Sequence, residues 1–381
     1  MGGRSAIVVG GGIGGLATAV ALRRAGWRVQ VLERRPDFRE LGAGLSLWPN
    51  ALRALDALGL GERVRELALT DASAGIRDRS GRWLSRTDTG ELARRHGEVA
   101  MVHRADLLDT LRAAVPAEDL RPGVTVEAVR ADGTVLHSGT ETRADLVIGA
   151  DGIGSRVRRS LWPGAPAARY AGYTTWRMVT APVPVAEGAE SWGRGERFGY
   201  APLPDGRVYA FAVLTAPEGL ADRIPADRAL ALLRRRFGSW HAPVPDLLGA
   251  VEPGALLHHG IYELPPLHTF VTGRAALLGD AAHAMTPNLG QGACQALEDA
   301  VELADALARG GSVEGALTVY DRIRRPRVQM ISARARRIGQ VAQWRDPLAA
   351  GLRNLALRRA PAEAFLKSLD PVLDWWPRTV A

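Results

Sequence analysis

Residues 6–15 read AIVVGGGIGG, a short apolar run followed by a string of glycines. The apolar and β-branched residues at 6–9 predict a buried parallel strand. Apolar residues then recur at helical spacing over 14–25, Gly26 is placed to end that helix, and 29–33 predicts the next strand. The chain is therefore predicted to open with a strand–helix–strand unit whose first connection is a glycine turn.

The glycine turn has the spacing of a nucleotide site. Gly10, Gly12 and Gly15 fit G-x-G-x-x-G, in which the glycines permit the turn, the approach of a pyrophosphate, and helix packing on the strand. The N–H groups and dipole of the helix N-terminus would face the phosphates. Glu33, at the end of the next predicted strand, is placed to accept hydrogen bonds from ribose hydroxyls. These features predict a dinucleotide site, and by themselves leave FAD and NAD as alternatives.

Length and composition predict a soluble protein of two domains, either interleaved or arranged end to end. The chain has 381 residues, of which 46% are hydrophobic and 24% charged, and it contains no apolar run long enough for a membrane span. The first predicted strand begins so close to Met1 that no room is left for a signal peptide, which favours the cytoplasm.

The single cysteine and the net charge exclude further classes. Cys294 alone cannot form an intramolecular disulfide or a multi-cysteine zinc site, no metal is predicted, and packing is favoured over nucleophilic chemistry for its thiol. The net charge of +8 comes almost entirely from arginines scattered along the chain, with Lys367 the only lysine. We expect no nucleic-acid partner, because no aromatic-interleaved basic motif accompanies the charge.

Two further apolar runs, at 145–149 and 275–279, lead into Asp151 and Asp280. Both carboxylates therefore lie where the carboxyl ends of parallel strands meet a ligand crevice. The region 170–261 differs, since its alternating segments and turn pairs predict antiparallel strands of an inserted domain. Apolar residues over 291–307 follow a helical period.

Three segments resemble the FAD-dependent aromatic hydroxylases with the para-hydroxybenzoate hydroxylase fold, in the branch of urate hydroxylases, salicylate hydroxylases and zeaxanthin epoxidases. They are the glycine motif with Glu33, residues 151–155 with Arg158, and residues 279–292, which read GDAAHAMTPNLGQG. Residues 44–50 and 169–173 also look like this branch.

The resemblance implies an α/β fold built around a Rossmann-like FAD-binding domain of the glutathione-reductase type. It implies an inserted, mainly antiparallel β-sheet substrate domain and a C-terminal helical segment. The corresponding residues would be 1–72, 98–165 and 272–330 for the FAD-binding domain, 73–97 and 166–271 for the substrate domain, and 331–381 for the C-terminal segment.

Two parts of the sequence support a flavin physically. The Asp280 carboxylate could bond a ribityl or ribose hydroxyl, and the turn at 287–292 leads into a helix whose positive end would stabilise negative charge on the reduced flavin. Arg34 and Arg35 could instead indicate that the first site binds NADP, but the charge of Glu33 would repel a 2′-phosphate. For Arg104 a cofactor contact is favoured over a surface ion pair. The resemblance, together with these features, implies contacts to FAD from Gly10, Gly12, Ile13, Gly14, Gly15, Glu33, Arg34, Ser46, Arg104, Val126, Asp151, Asp280, Pro287, Gly290, Gln291, Gly292, Ala293 and Cys294.

Candidate substrate residues come from alternation and from the resemblance. Arg207 and Tyr209 are separated by one residue on a predicted strand, so both would face one side, where Arg207 could hold an anionic substrate and Tyr209 could orient it. Ordinary sheet residues are the alternative for both. Trp48 and Trp176 are candidates for an apolar wall, with core packing as the alternative. No catalytic role is predicted for His283.

The resemblance implies an enzyme that is reduced by NAD(P)H and hydroxylates a small aromatic or heteroaromatic substrate through a flavin C4a-hydroperoxide. FAD would be non-covalent, and NADH or NADPH would visit transiently, because no second glycine fingerprint exists. An epoxidase of an olefin and a flavin oxidoreductase without oxygen insertion remain alternatives. The expected partners are the substrate, NAD(P)H and O2, with no membrane, and the expected state is a monomer or homodimer.

Overall fold

The structure is a computed structural model, and it describes residues 3–38, 43–70, 75–220 and 223–378. The predicted domain boundary between residues 72 and 73 lies outside these ranges. The strands, numbered in chain order, are β1 (Ser5–Val9), β2 (Arg28–Glu33), β3 (Gly44–Leu47), β4 (Gly75–Asp78), β5 (Trp83–Arg86), β6 (Ala100–His103), β7 (Leu120–Pro122), β8 (Val126–Val129), β9 (Thr134–His137), β10 (Thr140–Arg143), β11 (Leu146–Gly149), β12 (Arg169–Val179), β13 (Ala189–Trp192), β14 (Glu196–Pro202), β15 (Val208–Thr215), β16 (Leu257–Glu263), β17 (Val271–Thr272) and β18 (Ala275–Leu277).

Helices cover both sheets and make up most of the C-terminal part. They are α1 (Ile13–Arg24), α2 (Pro49–Ala57), α3 (Gly61–Glu66), α4 (Thr89–His96), α5 (Arg104–Ala113), α6 (Arg156–Leu161), α7 (Ala226–Phe237), α8 (Val244–Gly249), α9 (Asp280–His283), α10 (Gly292–Ala308), α11 (Val313–Ala342), α12 (Pro347–Arg359) and α13 (Ala362–Leu373). Short 3-10 turns occur at Ala117–Asp119, Pro253–Ala255 and Pro287–Leu289. No helix in the described ranges is long and apolar enough to cross a membrane.

The parallel sheet has the strand order β17-β18-β11-β1-β2-β7 within the described residues. All neighbouring strands are parallel except β17 and β18, which run antiparallel. Its central strands are buried, as their apolar sequences require. The predicted opening unit of strand, glycine turn, helix and strand is therefore present.

The antiparallel sheet has the order β16-β12-β15-β14-β13-β4-β5 in the same ranges, and only β13 and β4 run parallel. Its outer face packs against α7 and α8 and contains Trp176, Phe198 and Ala212. Its inner face carries the alternate residues and looks toward the parallel sheet, because inner-face side chains contact β3 and the Pro287–Leu289 turn.

The prediction that Trp176 lines a substrate pocket is wrong. Trp176 is fully buried on the outer face and stacks on His258, with ring centroids 4.0 Å apart. It therefore belongs to the core between the antiparallel sheet and its helices. Alternation along β12 puts its neighbour Arg177 on the inner face instead.

Helix α10 is held by a buried network of charges. Arg324 of α11 donates hydrogen bonds to Glu298 and, at 2.7 Å, to Asp299, and all three side chains are fully buried. Asp299 also accepts bonds from the Gly279 N–H and from His283, so His283 has a structural partner. Burial disfavours the Asp299 charge, but the His283 and Arg324 charges outweigh it and lower the pKa of Asp299 to about 2.

Helix α11 runs without a break from residue 313 to residue 342 and includes Pro326. The predicted boundary between residues 330 and 331 therefore divides one helix, and we correct it. The remainder of the predicted division into domains stays a prediction.

Replacing Arg324 with glutamine should destabilise the fold by about 3 kcal/mol, because Glu298 and Asp299 each lose a buried cation and keep only Arg327 and His283, respectively, as partners. Arg309→Gln, which removes an exposed arginine paired with Asp305, is the matched control and should leave the unfolding midpoint nearly unchanged. Urea unfolding monitored by circular dichroism measures both. Similar midpoints for the two variants would contradict the structural importance of the network.

Candidate functional site

The ends of four neighbouring parallel strands bring predicted cofactor residues side by side. In the order β18, β11, β1 and β2, the strands are followed or ended by Asp280, Asp151, Gly10 and Glu33. Because the strands are parallel, their carboxyl ends share one edge of the sheet. An extended dinucleotide lying along that edge could contact all four.

Each glycine of the turn has a distinct role. Gly10 has a φ of 109°, and a Cβ there would overlap the carbonyl group of Ala150. A Cβ on Gly15 would overlap the Gly10 carbonyl oxygen, so Gly15 permits the close approach of α1 to the turn. A Cβ on Gly12 would meet nothing within 4 Å. Gly12 therefore borders open space in front of α1, where a pyrophosphate would fit.

The N-terminus of α1 is prepared for an anion. Among the described residues, no side chain caps it and its first turn has no acidic residue, while Ile13 anchors it in the core. Glu33 accepts hydrogen bonds from the N–H groups of Gly11, at 2.7 Å, and Arg35, at 2.8 Å. Glu33 thus fixes the glycine turn, and the free N–H groups of α1 face outward.

Asp151 organises the next segment of the edge. Its carboxylate accepts hydrogen bonds from the Ser155 hydroxyl and from the N–H groups of Arg156 and Val157, and so caps α6. Asp280, at the start of α9, is exposed, and so is Arg34. Asp280 is therefore accessible to a cofactor hydroxyl, whereas much of Asp151's acceptor capacity is used within the protein.

The turn before α10 is lined with donors. Gly290 adopts a φ of 63°, and a Cβ on Gly292 would meet nothing within 4 Å. The Trp48 Nε1 and Gln291 Nε2 groups are buried, and neither has a hydrogen-bond partner in the described parts of the chain. Donors left unpaired in this way suit a ring with acceptor oxygens and nitrogens, and the flavin pyrimidine ring is such a ring.

The other predicted contacts occupy the same region or support it. Arg104 begins α5, and its N–H bonds the Ala43 carbonyl, while the Ser46 hydroxyl on β3 contacts the Met101 sulfur at 3.0 Å. Three further predicted contacts are wholly or partly buried in the main hydrophobic core, Val126 at the start of β8, Ala293 and Cys294. Burial raises the pKa of the Cys294 thiol to about 12, so the thiol is neutral. Gly14 packs α1 against Leu278 and Ala296.

Arg197 joins the inner face of the antiparallel sheet to the Pro287–Leu289 turn. Its side chain is 3% exposed, and it donates hydrogen bonds to Glu190 and Asn288, each at 2.9 Å. Asn288 in turn donates to the Tyr173 hydroxyl at 2.9 Å. The Arg197 Nε group is buried and has no partner among the residues described, so one donor is left for a bound molecule.

The structure does not support the predicted position of Arg207. Strand β15 begins at Val208, and Arg207 lies in the preceding turn with its side chain 46% exposed. Its guanidinium bonds Asp205 at 2.7 Å and His103 at 3.2 Å. We correct its predicted place in the strand facing a substrate, because the turn directs it to solvent and to Asp205.

Tyr209 does lie on the inner face. It packs so closely against β3 that a Cβ on Gly44 would meet its ring at 2.5 Å. Burial raises the pKa of Tyr209, although the charges of Arg177 and Arg104 act in the opposite direction. The phenol is therefore protonated near neutral pH and could donate a hydrogen bond.

Phe211 forms a flat surface beside Tyr209 on the same strand. Their ring centroids are 6.0 Å apart, and a Cβ on the neighbouring Gly199 would overlap the Phe211 ring. Phe211 thus lies across Gly199 on the inner face. A planar molecule between this face and the Pro287–Leu289 turn could stack on it.

Sequence reasoning missed Arg197, Asn288 and Phe211. Asn288 lies within residues 279–292, which carry the resemblance, and the alternation of β14 could have indicated that Arg197 and Gly199 share a face. The sequence does not show which face looks toward the parallel sheet. A buried arginine also cannot be recognised in a chain with so many arginines.

The chain matches known proteins over most of its length. Residues 4–197 and 266–335 match the FAD binding domain family. The aurachin C monooxygenase/isomerase of Stigmatella aurantiaca is 40% identical, over 93% of this chain and 94% of that protein. The FAD-dependent urate hydroxylase of Mycolicibacterium vanbaalenii is 33% identical, over 90% and 89%. The crystal structure of Klebsiella pneumoniae HpxO complexed with FAD and uric acid is similar with a TM-score of 0.90 and 31% identity, covering 97% of this chain and 96% of that one.

Gly12→Val and Gly15→Ala should have different effects. The Gly12 side chain would enter the open space before α1, so Gly12→Val should lower FAD content and leave the apoprotein's unfolding midpoint nearly unchanged. Gly15→Ala should lower the midpoint itself, because its methyl group would overlap the Gly10 carbonyl. Flavin absorbance per protein and apoprotein unfolding separate the two effects. Full flavin content in Gly12→Val would place the pyrophosphate elsewhere.

Proposed function

This chain belongs to the FAD-dependent aromatic hydroxylase family. We propose that it is a monooxygenase that uses NAD(P)H and O2 to hydroxylate a planar, anionic aromatic or heteroaromatic compound. The observation that carries the substrate part of the proposal is the buried Arg197, whose unpaired donor lies beside the cofactor turn.

FAD is the cofactor that fits the open space at Gly12, the Asp280 carboxylate and the unpaired donors at Trp48 and Gln291. When bound, it accepts electrons from NAD(P)H and activates O2. We propose that it is non-covalent, that NAD(P)H visits transiently, and that the parallel sheet belongs to a glutathione-reductase-type domain. The predicted FAD-binding and substrate-binding segments, apart from the corrected boundary in α11, are part of this proposal.

Arg197 would anchor the anionic group of the substrate. Its two terminal nitrogens are already positioned by Glu190 and Asn288, so the guanidinium is held before substrate arrives. A cation at that place favours the deprotonated, electron-rich form of a phenol-like ring. That form is the better acceptor of an electrophilic oxygen atom. Tyr209, protonated and on the same face, would orient the ring by donating a hydrogen bond.

The compounds named for the relatives are planar aromatic rings. Two are substrates, urate and 3-amino-4-hydroxybenzoate, and one is the product 2-heptyl-3-hydroxy-4(1H)-quinolone. Ring stacking on Phe211 and an ionic contact with Arg197 would serve each kind of ring. We therefore propose that shape and charge, more than size, are what the inner face recognises.

The test is a screen of phenols, purines, quinolones and polyenes for stimulated NAD(P)H oxidation under labelled dioxygen. One labelled oxygen atom in a new ring hydroxyl group supports the proposal. Stimulated oxidation that gives only unlabelled product would identify a flavin oxidoreductase without oxygen insertion. An epoxide product would support the olefin alternative.

Arg197→Gln should lower kcat/KM by roughly 10- to 150-fold, because a charged hydrogen bond to substrate contributes about 1.5–3 kcal/mol. Arg207→Gln is the matched control and should stay within about twofold of the parent enzyme, since Arg207 faces solvent. Steady-state kinetics with a substrate from the screen, together with flavin content, measures both. A larger loss of kcat/KM in Arg207→Gln than in Arg197→Gln would indicate that the substrate binds at Arg207, as the sequence predicted.

Gly199→Ala should change the selectivity between one-ring and two-ring substrates, with a smaller effect on FAD binding. The added methyl group would push the Phe211 ring toward the pocket, so bulky ring systems should lose kcat/KM more than single rings. The ratio of kcat/KM for a two-ring and a one-ring substrate measures the effect. Gly172→Ala, whose Cβ would meet nothing within 4 Å but whose φ is 89°, controls for a general loss of glycine in the sheet. Equal losses on both substrates would contradict the stacking role of Phe211.

A further inference from the structure

Helix α12 presents an apolar stripe to solvent. Leu348, Leu352 and Leu355 follow one another at helical spacing, and they are 79%, 66% and 42% exposed. Trp344, just before the helix, is 40% exposed. In the described ranges, the only other large apolar side chain exposed to this degree is Trp376. Apolar exposure is therefore concentrated at this helix, which is the pattern of an interaction surface.

The stripe is held outward by the opposite face of the helix. Ala350 and Arg353 are buried there, and the Arg353 guanidinium donates hydrogen bonds to the carbonyls of Val341, Ala342 and Gly193. Asp346 caps the N-terminus of the helix through the Ala349 N–H. These bonds fix α12 on the protein, and in this orientation its leucines face solvent.

Positive charge surrounds the stripe. Arg358 bonds Asp78, the carboxylate that also pairs with Arg82, and Arg345 packs against Gly195. Residues 347–359 include no acidic residue. The exposed arginines on the helix or next to residues that contact it are Arg82, Arg194, Arg345, Arg358 and Arg359, and they outnumber the neighbouring carboxylates of Asp78 and Asp346.

A second copy of the chain fits this surface poorly. A two-fold contact would bring the same surface together on both copies. Antiparallel pairing of two α12 helices would place Arg345 of one copy near Arg358 and Arg359 of the other, and the like charges would repel. A nucleic acid would use the arginines but leave the leucine stripe in water.

An anionic lipid surface fits both features. The leucines would enter the boundary between headgroups and acyl chains, the arginines would contact lipid phosphates, and Trp344 would lie at the interface, where tryptophan is preferred. We propose that α12 is an interfacial helix that docks this protein on anionic membranes. The sequence predicted no membrane partner because it contains no membrane-spanning segment. A helix that lies in the membrane interface does not need such a segment.

The test uses the purified flavoprotein with phosphatidylglycerol-containing vesicles and with pure phosphatidylcholine vesicles. We expect cosedimentation with the anionic vesicles only, weakened by added salt because the arginine contribution is screened. The double variant Leu352→Gln/Leu355→Gln should reduce the partition coefficient by about tenfold or more. Arg345→Gln/Arg359→Gln should reduce it by a similar factor.

Trp376→Gln, which removes an exposed apolar side chain outside α12, is the control and should bind vesicles like the parent protein. Flavin content and the unfolding midpoint should be unchanged in all variants, and neither depends on the proposed reaction. Failure to bind anionic vesicles would overturn the proposal, as would binding that the leucine variant leaves intact. A dimer that the leucine variant converts to a monomer, without vesicle binding, would identify the surface as a contact between copies.

Discussion

Two buried carboxylates on α10 need cations, and Arg324 contacts both of them from α11. A buried charge without a partner is strongly unfavourable, so the packing of the two helices depends on Arg324, with Arg327 as a second partner of Glu298 and His283 as a second partner of Asp299. Glu298 also accepts a hydrogen bond from Asn50 at the start of α2, while Asp299 holds the Gly279 N–H. One ionic cluster therefore fixes α10, which follows the Pro287–Leu289 turn, the loop that leads to Asp280, and the helix that follows Trp48.

The second half of α11 carries this constraint to the substrate side. The Ala335 carbonyl accepts a hydrogen bond from Asn288, and a Cβ on Gly339 would meet Asn288 and the Tyr173 hydroxyl. Small residues on α11 thus let the helix lie directly over the Pro287–Leu289 turn. For this reason the boundary expected at residue 330 has no physical basis, since one helix joins the ionic cluster to Asn288 and, through Asn288, to Arg197.

The sequence was sufficient for the parts of the site that depend on backbone geometry. The roles expected of Gly10, Gly12 and Gly15 agree with what a Cβ would meet at each position, and Glu33 stands at the end of β2. Such residues are predictable because a tight turn or a close approach admits few alternatives. The FAD contacts themselves remain predictions.

The substrate side was predicted less well, because it depends on how layers pack. Alternation correctly separates Trp176 from Arg177, yet a strand with an apolar residue on each side gives no sign of which face the helices cover. Arg197 and Arg207 each precede a tyrosine- or phenylalanine-containing run, and alternation assigns both to the same face. They differ because Arg197 lies within β14 and is buried, whereas Arg207 lies in the turn before β15 and is exposed.

The geometry of Glu33 bears on how two nucleotides can share one enzyme. Each of its carboxylate oxygens accepts one backbone hydrogen bond and retains capacity for another, so Glu33 can hold the glycine turn and still accept a ribose hydroxyl. A 2′-phosphate at the same place would meet that negative charge at close range. The turn therefore favours a dinucleotide with free ribose hydroxyls, as FAD is. A hydride donor of the NADP type would have to reach the flavin without occupying this turn. The proposed reaction, in which NAD(P)H binds only transiently, has the same requirement.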